Sequence, residues 1–216
     1  MKSIIPITIF LLLAMPIFAQ DKTFGIHAIP DSTFAFMQGK SWKKGCSISR
    51  YDLRYLTLLH IDENGKTHQG ELICHKDIAN DLLEIFHELY KHRYPIHSIK
   101  LIDEYEGSDE ASMRSNNTSC FNYRRTSRGG ISKHSKGMAV DINPLWNPCV
   151  RITATKDTIV EPANAKKYVK RQQANSNTAK SKMISHHDLC HKLFTNHGFK
   201  WGGSWRSMKD YQHFEK

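Results

Sequence analysis

Residues 132–141 (SKHSKGMAVD) decide how this chain is organised, and two short stretches near the C-terminus must join them, 201–205 (WGGSW) and 210–213 (DYQH). Together the three stretches supply two histidines and two aspartates. Histidine nitrogens and carboxylate oxygens are common ligands of zinc. The sequence therefore favours a metal site where these stretches meet.

The residues around the first stretch predict how its ligands are presented. Gly137 allows a tight turn, and the residues after it alternate as in a strand, which directs Val140 and Ile142 into the core. Asp141 then lies on the opposite face with the small Ala139 beside it, where a ligand has room. A bare His–Asp pair is also compatible with a surface histidine and a turn-capping aspartate. The interpretation as a metal site therefore depends on the other residues of the three stretches.

The residue set predicts a catalytic rather than a structural site. His134, Asp141 and His213 provide three protein ligands and leave one position open, as in catalytic zinc sites. A water at such a position has its pKa lowered to roughly 7.

The pattern S-x-H-x-x-G-x-A-x-D, followed by W-G-G-x-W and D-x-x-H, resembles the zinc D-alanyl-D-alanine carboxypeptidase family. That family includes L-alanyl-D-glutamate endopeptidases of bacteria and phages, and the vancomycin-resistance dipeptidases. The resemblance is specific over residues 95–150 and 185–216 and looser over 40–94. It implies His134, Asp141 and His213 as zinc ligands and Asp210 as the catalytic base.

The resemblance also implies an arginine that faces the substrate. Relatives often carry it in a G-Y-R-type turn, where this chain has DEYE at 103–106. Arg124 is the first candidate and Arg114 the second. The alternative for either residue is a solvated surface charge.

Three further residues are candidates for the substrate cleft. Ser132 is expected to hydrogen-bond the substrate. Trp201 and Trp205 are expected to shape the cleft wall, and plain packing is the alternative for both indoles.

The N-terminus predicts export. Residues 1–19 read as a signal peptide, with Lys2 before an apolar run and Ala19 at the cleavage point. The run is short and broken by prolines, which disfavours a membrane span, although an uncleaved anchor is the alternative. Residues 20–216 then form a single zinc peptidase domain, which we expect to be a monomer.

The formal net charge of +10 bears on possible partners. Nucleic acid is one partner that a basic chain can bind, but export argues against it. A cell wall rich in carboxylates and phosphates fits better, and a role in solubility alone is the other interpretation.

Cysteine usage leaves disulfide pairing open. After cleavage the chain keeps five cysteines, so at least one thiol lacks an intramolecular partner. Two disulfides could form in an oxidising compartment. The cysteines are Cys46, Cys74, Cys120, Cys149 and Cys190.

Local patterns predict a small number of elements. Strands are expected at 51–61 and 67–74, joined by a hairpin turn at Asn64-Gly65, and a further strand at 96–105. A helix begins after Asp77 as its N-cap. Its apolar stripe is Ile78, Leu82, Ile85, Phe86 and Leu89.

The C-terminal half is less regular. Residues 151–182 show no strong period and predict a long loop or short helices. Ser185 is expected to cap a final helix. A turn or bulge near Tyr211-Gln212 is needed if Asp210 and His213 are to face one site, because residues three apart on a strand point to opposite faces.

A rival metal site lies in this last helix. His187 and His191 are four residues apart with Asp188 beside the first, close to the H-E-x-x-H pattern of other zinc proteases. Aspartate reaches less far than glutamate as a base, and no third ligand follows. A polar helix face is the simpler interpretation.

These observations, with the resemblance, predict an α+β fold with an antiparallel sheet, helices mainly on one side and zinc in an open cleft. The implied function is an exported zinc peptidase acting on peptidoglycan stem peptides, of either carboxypeptidase or endopeptidase type. The alternative is a non-catalytic protein of the same fold that binds cell wall or polyanions.

Overall fold

The computed structural model describes residues 23–126, 129–171 and 182–216. The predicted signal peptide, residues 1–19, lies outside the described residues. Within the described ranges, no helix is both long enough and apolar enough to cross a bilayer.

The predicted hairpin forms two of the three strands of the first sheet. Strands β1 (Gly25–His27), β2 (Leu53–Ile61) and β3 (Thr67–His75) pair antiparallel in the order β1-β2-β3. The connecting turn is fastened by the Asp62 carboxylate, which accepts the backbone N–H groups of Asn64 and Lys66 at 2.9 Å each. A short helix, α1 (Asp31–Met37), lies between β1 and β2 in sequence.

The main core forms between this sheet and two helices. Helix α2 (Lys76–Lys91) buries all five residues of the predicted stripe. Helix α4 (Leu189–Asn196) packs against α2. A smaller core with Met37 of α1, Leu53 and Ile73 lies beside the main one.

Both helix starts differ from the prediction. The N-cap of α2 is His75, whose Nδ1 accepts the N–H of Asp77 at 3.2 Å, so the helix begins before Asp77. The N-cap of α4 is Asp188 and not Ser185, because the Asp188 carboxylate accepts the N–H of Cys190 at 2.9 Å.

The second sheet carries most of the motif residues. Strands β6 (Ala139–Asp141), β11 (His213–Glu215) and β9 (Lys200–Trp201) pair antiparallel in the order β6-β11-β9. Asp141 and His213 are direct cross-strand partners. The sheet thus joins the first motif stretch to the last.

A third sheet corrects the expectation of a loop or short helices over residues 151–161; the short 3-10 helix below agrees with that expectation, and residues 172–181 lie outside the described residues. Strands β7 (Cys149–Ile152) and β8 (Thr158–Glu161) form a hairpin, and β10 (Lys209–Asp210) pairs with β7 on the other edge. A 3-10 helix, Ala163–Tyr168, follows. Four-residue strands contain too few alternations to show a period in the sequence.

The predicted strand at 96–105 is also wrong over most of its length. Only β4 (Ser98–Ile99) is extended, and it pairs in parallel with β5 (Asn117–Thr118). Residues Ile102–Tyr105 form a 3-10 helix instead, and α3 (Asp109–Arg114) follows. The carboxylate of Asp103 accepts the backbone N–H of Ser41 at 3.0 Å, which ties this segment to a loop rather than to a strand.

The architecture is α+β with antiparallel sheets, as expected, but it comprises several small sheets and one parallel pair rather than one continuous sheet. All five cysteines are free thiols, and only Cys46 is partly exposed. The structure therefore does not contain the disulfides that an oxidising compartment would allow.

Candidate metal centre and its cleft

The three proposed ligands meet at one point. His134 lies in the 3-10 helix Lys133–Lys136, Asp141 ends β6, and His213 begins β11. One donor atom from each lies within 4.8 Å of the others, and all three side chains are buried. In the described ranges, this is the one group of three or more such side chains with geometry suited to a metal ion.

Local interactions fix the loop that carries His134. The Ser132 hydroxyl accepts the N–H of His134 at 3.2 Å and caps the 3-10 helix. Gly137 ends this helix with φ of 65°, and a Cβ there would lie 2.7 Å from the backbone nitrogen of His75. Glycine is thus required both for the left-handed conformation and for the close approach to β3.

The inner atoms of the site form a tight triangle. His134 Nε2 lies 3.2 Å from Asp141 Oδ2, and His213 Nδ1 lies 3.1 Å from Asp141 Oδ1. The two inner nitrogens are 3.2 Å apart. Three groups that can each donate a lone pair therefore converge.

The outer nitrogens of both histidines have their own acceptors. His134 Nδ1 lies 2.6 Å from the carbonyl oxygen of Cys120, and His213 Nε2 lies 3.3 Å from a carboxylate oxygen of Glu215. When the outer nitrogen carries the proton, a neutral imidazole presents a lone pair on its inner side, as metal-binding histidines do. The donor set and its supporting bonds thus fit a zinc ion.

The charges of the site also favour a cation. Burial opposes ionisation of Asp141, but His134 and His213 outweigh it and hold the pKa of this carboxyl below its usual range. Burial likewise opposes protonation of His213, yet its bonds to Asp141 and Glu215 raise its pKa to about 10. The carboxylates around the histidines therefore stabilise positive charge at this point.

Asp210 lies beside the ligands. Bends at Tyr211 and Gln212 separate β10 from β11, so Asp210 and His213 face one cleft. Burial, with a contribution from the charge of Asp141, raises the pKa of Asp210 to about 6 against the opposing charge of His213. Its Oδ1 is buried and has no hydrogen-bond partner in the described part of the chain.

The cleft has a volume of about 470 Å³ and contains one of the two candidate arginines. Arg124 lines it, and its guanidinium contacts the Asp109 carboxylate, which also accepts a bond from Asn122 Nδ2 at 2.8 Å. Arg114 is not among the lining residues, and its exposed guanidinium lies 3.7 Å from Glu110. Of the two, the structure brings Arg124 to the site.

Of the three candidate substrate residues, two line the cleft and one does not. Ser132 lines the cleft. Trp201 does not: it is buried in the core, packs near Phe214 and donates its indole N–H to the Tyr211 carbonyl at 2.9 Å. Trp205 lines the cleft instead, with its ring centroid 5.2 Å from that of His213. The placement of Trp201 as a cleft residue is therefore corrected to core packing.

The rival site is not assembled. Helix α4 begins at Leu189, so His187 precedes it and does not share a helical face with His191. Asp188 is occupied as the helix cap and accepts a hydrogen bond from the Tyr94 hydroxyl at 3.0 Å. The His191 ring packs on Trp201, with centroids 5.0 Å apart.

The sequence offers Glu215 only as the alternative to Asp210 as base; residues two apart on a strand share a face, which also places it beside His213. Three further residues of the site were not found from the sequence. Asp109, Glu161 and Gln212 also line the cleft. Their positions depend on α3, the β7–β8 hairpin and the bend before β11, none of which has a strong sequence signal.

Comparison with known proteins agrees with the motif. No solved structure matches the chain significantly. Residues 125–216 match the family model described as D-alanyl-D-alanine carboxypeptidase, of peptidase family M15. The matched segment contains the three proposed ligands and Asp210. The resemblance seen in the sequence is therefore confirmed over residues 125–216, the part of the chain that is similar to the D-alanyl-D-alanine carboxypeptidases of family M15.

Proposed function

We propose that this protein is an exported zinc-dependent peptidase that hydrolyses a peptide bond in peptidoglycan stem peptides. The observation that carries the proposal is the convergence of His134, Asp141 and His213 beside Asp210, in an open cleft. The family match over the same residues supports a peptidase acting on cell-wall peptides.

His134, Asp141 and His213 would hold the zinc ion. When bound, zinc supplies a Lewis acid and lowers the pKa of water at the site to roughly 7. Asp210 accepts a proton from the attacking water and passes it to the amine that leaves. Burial raises the pKa of Asp210 in the metal-free site, which favours uptake of a proton by this carboxyl compared with an exposed one.

Arg124 is proposed to bind an anionic group of the substrate, either the carboxylate or the oxyanion that develops at the cleaved bond. Its contact with Asp109 restricts the guanidinium in the cleft. Ser132 has a hydroxyl in the lining and is proposed to hydrogen-bond the substrate.

The test is incubation of the purified protein with purified muropeptides, followed by mass spectrometry of the products. Loss of a terminal alanine identifies a carboxypeptidase, and cleavage within the stem identifies an endopeptidase. Unchanged muropeptides in the presence of zinc would reject the proposal and leave the non-catalytic wall-binding alternative.

Export is part of the same proposal. We expect the mature chain to begin near Gln20 and to occur outside the cytoplasm, because the preceding residues match a signal peptide. N-terminal sequencing of the native protein measures this directly. A native chain that begins at Met1 would contradict it.

A further inference from the structure

One buried hydrogen-bond acceptor in the cleft has no donor. Gln212 is only 3% exposed, and its side chain lines the cleft next to the ligand His213. Its Nε2 donates to the thioether sulfur of Met113 at 3.5 Å, whereas Oε1 is buried without a partner in the described ranges. If the amide were flipped, Gln212 Oε1 would face the Met113 sulfur, and neither of these atoms has a hydrogen to donate. A buried acceptor without a donor is unfavourable, so a ligand with an N–H or O–H group would satisfy it.

Two carboxylates lie on the same wall. Glu110 is one helical turn before Met113 on α3, and its Oε1 is 3.5 Å from the N–H of Ala163. Ala163 follows Glu161 by two residues, so Glu110 contacts the backbone just after Glu161. Both line the cleft.

These carboxylates have only loose cationic partners. Glu110 lies 3.7 Å from Arg114, and Glu161 lies 3.8 Å from Arg151. Their side chains are 48% and 45% exposed, which leaves room for a second cation. We call Gln212, Met113, Glu110 and Glu161 the acceptor wall.

The acceptor wall contrasts with the rest of the molecule. The chain carries a formal charge of +10, yet this side of its cleft presents carboxylates. Of the other acids of the cleft, Glu215 contacts His213 and Asp109 contacts Arg124, whereas the buried Asp210 is assigned to the reaction itself. The exposed carboxylates without a close cationic partner are thus those of the acceptor wall.

We propose that the acceptor wall is a substrate subsite for a protonated primary amine. This rests on the proposed function and specifies its substrate: a stem peptide with a diamino acid whose side-chain amine is free. The ammonium group donates one hydrogen bond to Gln212 Oε1 and lies near the carboxylates of Glu110 and Glu161. A sugar hydroxyl could also donate to Gln212, but it would gain little from the two charges.

The test uses two muropeptides that are identical except that the side-chain amine is free in one and acetylated in the other. The wild-type protein should have the higher kcat/KM for the free amine. The double variant Glu110→Gln/Glu161→Gln should reduce the ratio of the two kcat/KM values by roughly 5- to 20-fold, as loss of two partly exposed ion pairs implies. Gln212→Met should also reduce it. Glu104→Gln makes the same chemical change on an exposed residue that does not line the cleft, and should leave the ratio unchanged.

Binding of the same two peptides, measured by calorimetry, gives a readout that does not depend on hydrolysis. Tighter binding of the free amine, lost in the double variant, supports the subsite even if neither peptide is cleaved, in which case only the proposed function fails. Equal binding and equal hydrolysis of both peptides would overturn the subsite and leave the peptidase intact. Because both glutamates are partly exposed, the double variant should fold even if Gln212→Met does not.

Discussion

Each histidine of the site has one nitrogen that faces the other ligands and one that faces an acceptor. The Cys120 carbonyl and the Glu215 carboxylate hold the outer nitrogens. This arrangement directs both inner nitrogens towards Asp141. The protein itself therefore brings the three donor groups together, and the proton that His213 shares with Asp141 must leave when an ion binds.

The first prediction concerns the three ligands. His134→Ala, Asp141→Ala and His213→Ala should each lower the zinc content of the purified protein, because each removes one of three donors. His187→Ala and His191→Ala are the matched controls and should keep about one zinc per chain. Metal analysis of all five variants decides the matter. The reverse pattern would move the site to the start of α4.

The second prediction separates Asp210 from the ligands. Asp210→Asn keeps the size of the side chain but cannot accept a proton, so kcat should fall by roughly 10²–10⁴. Zinc content and melting temperature should stay close to those of the wild type. Loss of zinc would make Asp210 a ligand. Full activity with zinc retained would place the base elsewhere, and Glu215 would be tested next.

The sequence indicated single residues well where a motif fixes their chemistry. The histidines proposed as ligands and Asp210 are such residues. Trp201 and Trp205 also belong to the motif, but it does not fix their role, since an indole serves equally well in a core and in a cleft. Only the position of β9 beside β11 decides that Trp201 turns inwards.

At the scale of elements, helix α4 depends on a buried cap. Asp188 accepts hydrogen bonds from the Cys190 N–H and the Tyr94 hydroxyl. Burial is the main cause that raises its pKa to about 6, against these bonds. The cap thus stabilises the helix while its own charge is costly to bury.

The third prediction follows from this cap. Asp188→Ala should lower the free energy of unfolding by about 1 kcal/mol, whereas Asp188→Asn keeps a good capping group and should lose less. The folded protein binds the Asp188 proton more tightly than the unfolded chain, where the pKa is 3.8. The stability that the folded protein gains by binding this proton is fully present below pH 3.8 and is lost as the pH rises through about 6. The stability of the wild type relative to Asp188→Asn should therefore decrease over this range in denaturant titrations. An increase would mean that the charged form is favoured.

Elements long enough to show several repeats of their hydrophobic pattern were predictable, and short elements were not. The stripe of α2 and the β2–β3 hairpin extend over enough residues to show their periods. The β7–β8 hairpin and β10 do not, and they exist because each pairs with a neighbour distant in sequence. Since the hairpin carries Glu161, the wall of the cleft was less predictable than the three proposed metal ligands.

At the scale of the whole molecule, the site connects parts of the chain that are far apart in sequence. The ligands come from a 3-10 helix, from β6 and from the last strand, β11. Strand β11 also supplies Phe214 to the main core, where it stacks on Phe194 of α4 at 4.3 Å between centroids. An ion held at the site would therefore fasten the C-terminal strand, and with it the core, to the loop that carries His134.

The last prediction is that zinc raises the melting temperature of the protein. An ion that binds only the folded state stabilises it by about 2.7 kcal/mol at a free concentration of 100 Kd. For a chain of this size, that corresponds to an increase of roughly 5–10 °C. Calorimetric scans with zinc and with a chelator should show this increase in the wild type and in Asp210→Asn, which keeps all three ligands. His134→Ala should lose most of it, and His191→Ala should keep it. If zinc stabilised His134→Ala as strongly as the wild type, the ion would be bound somewhere other than between the 3-10 helix, β6 and β11.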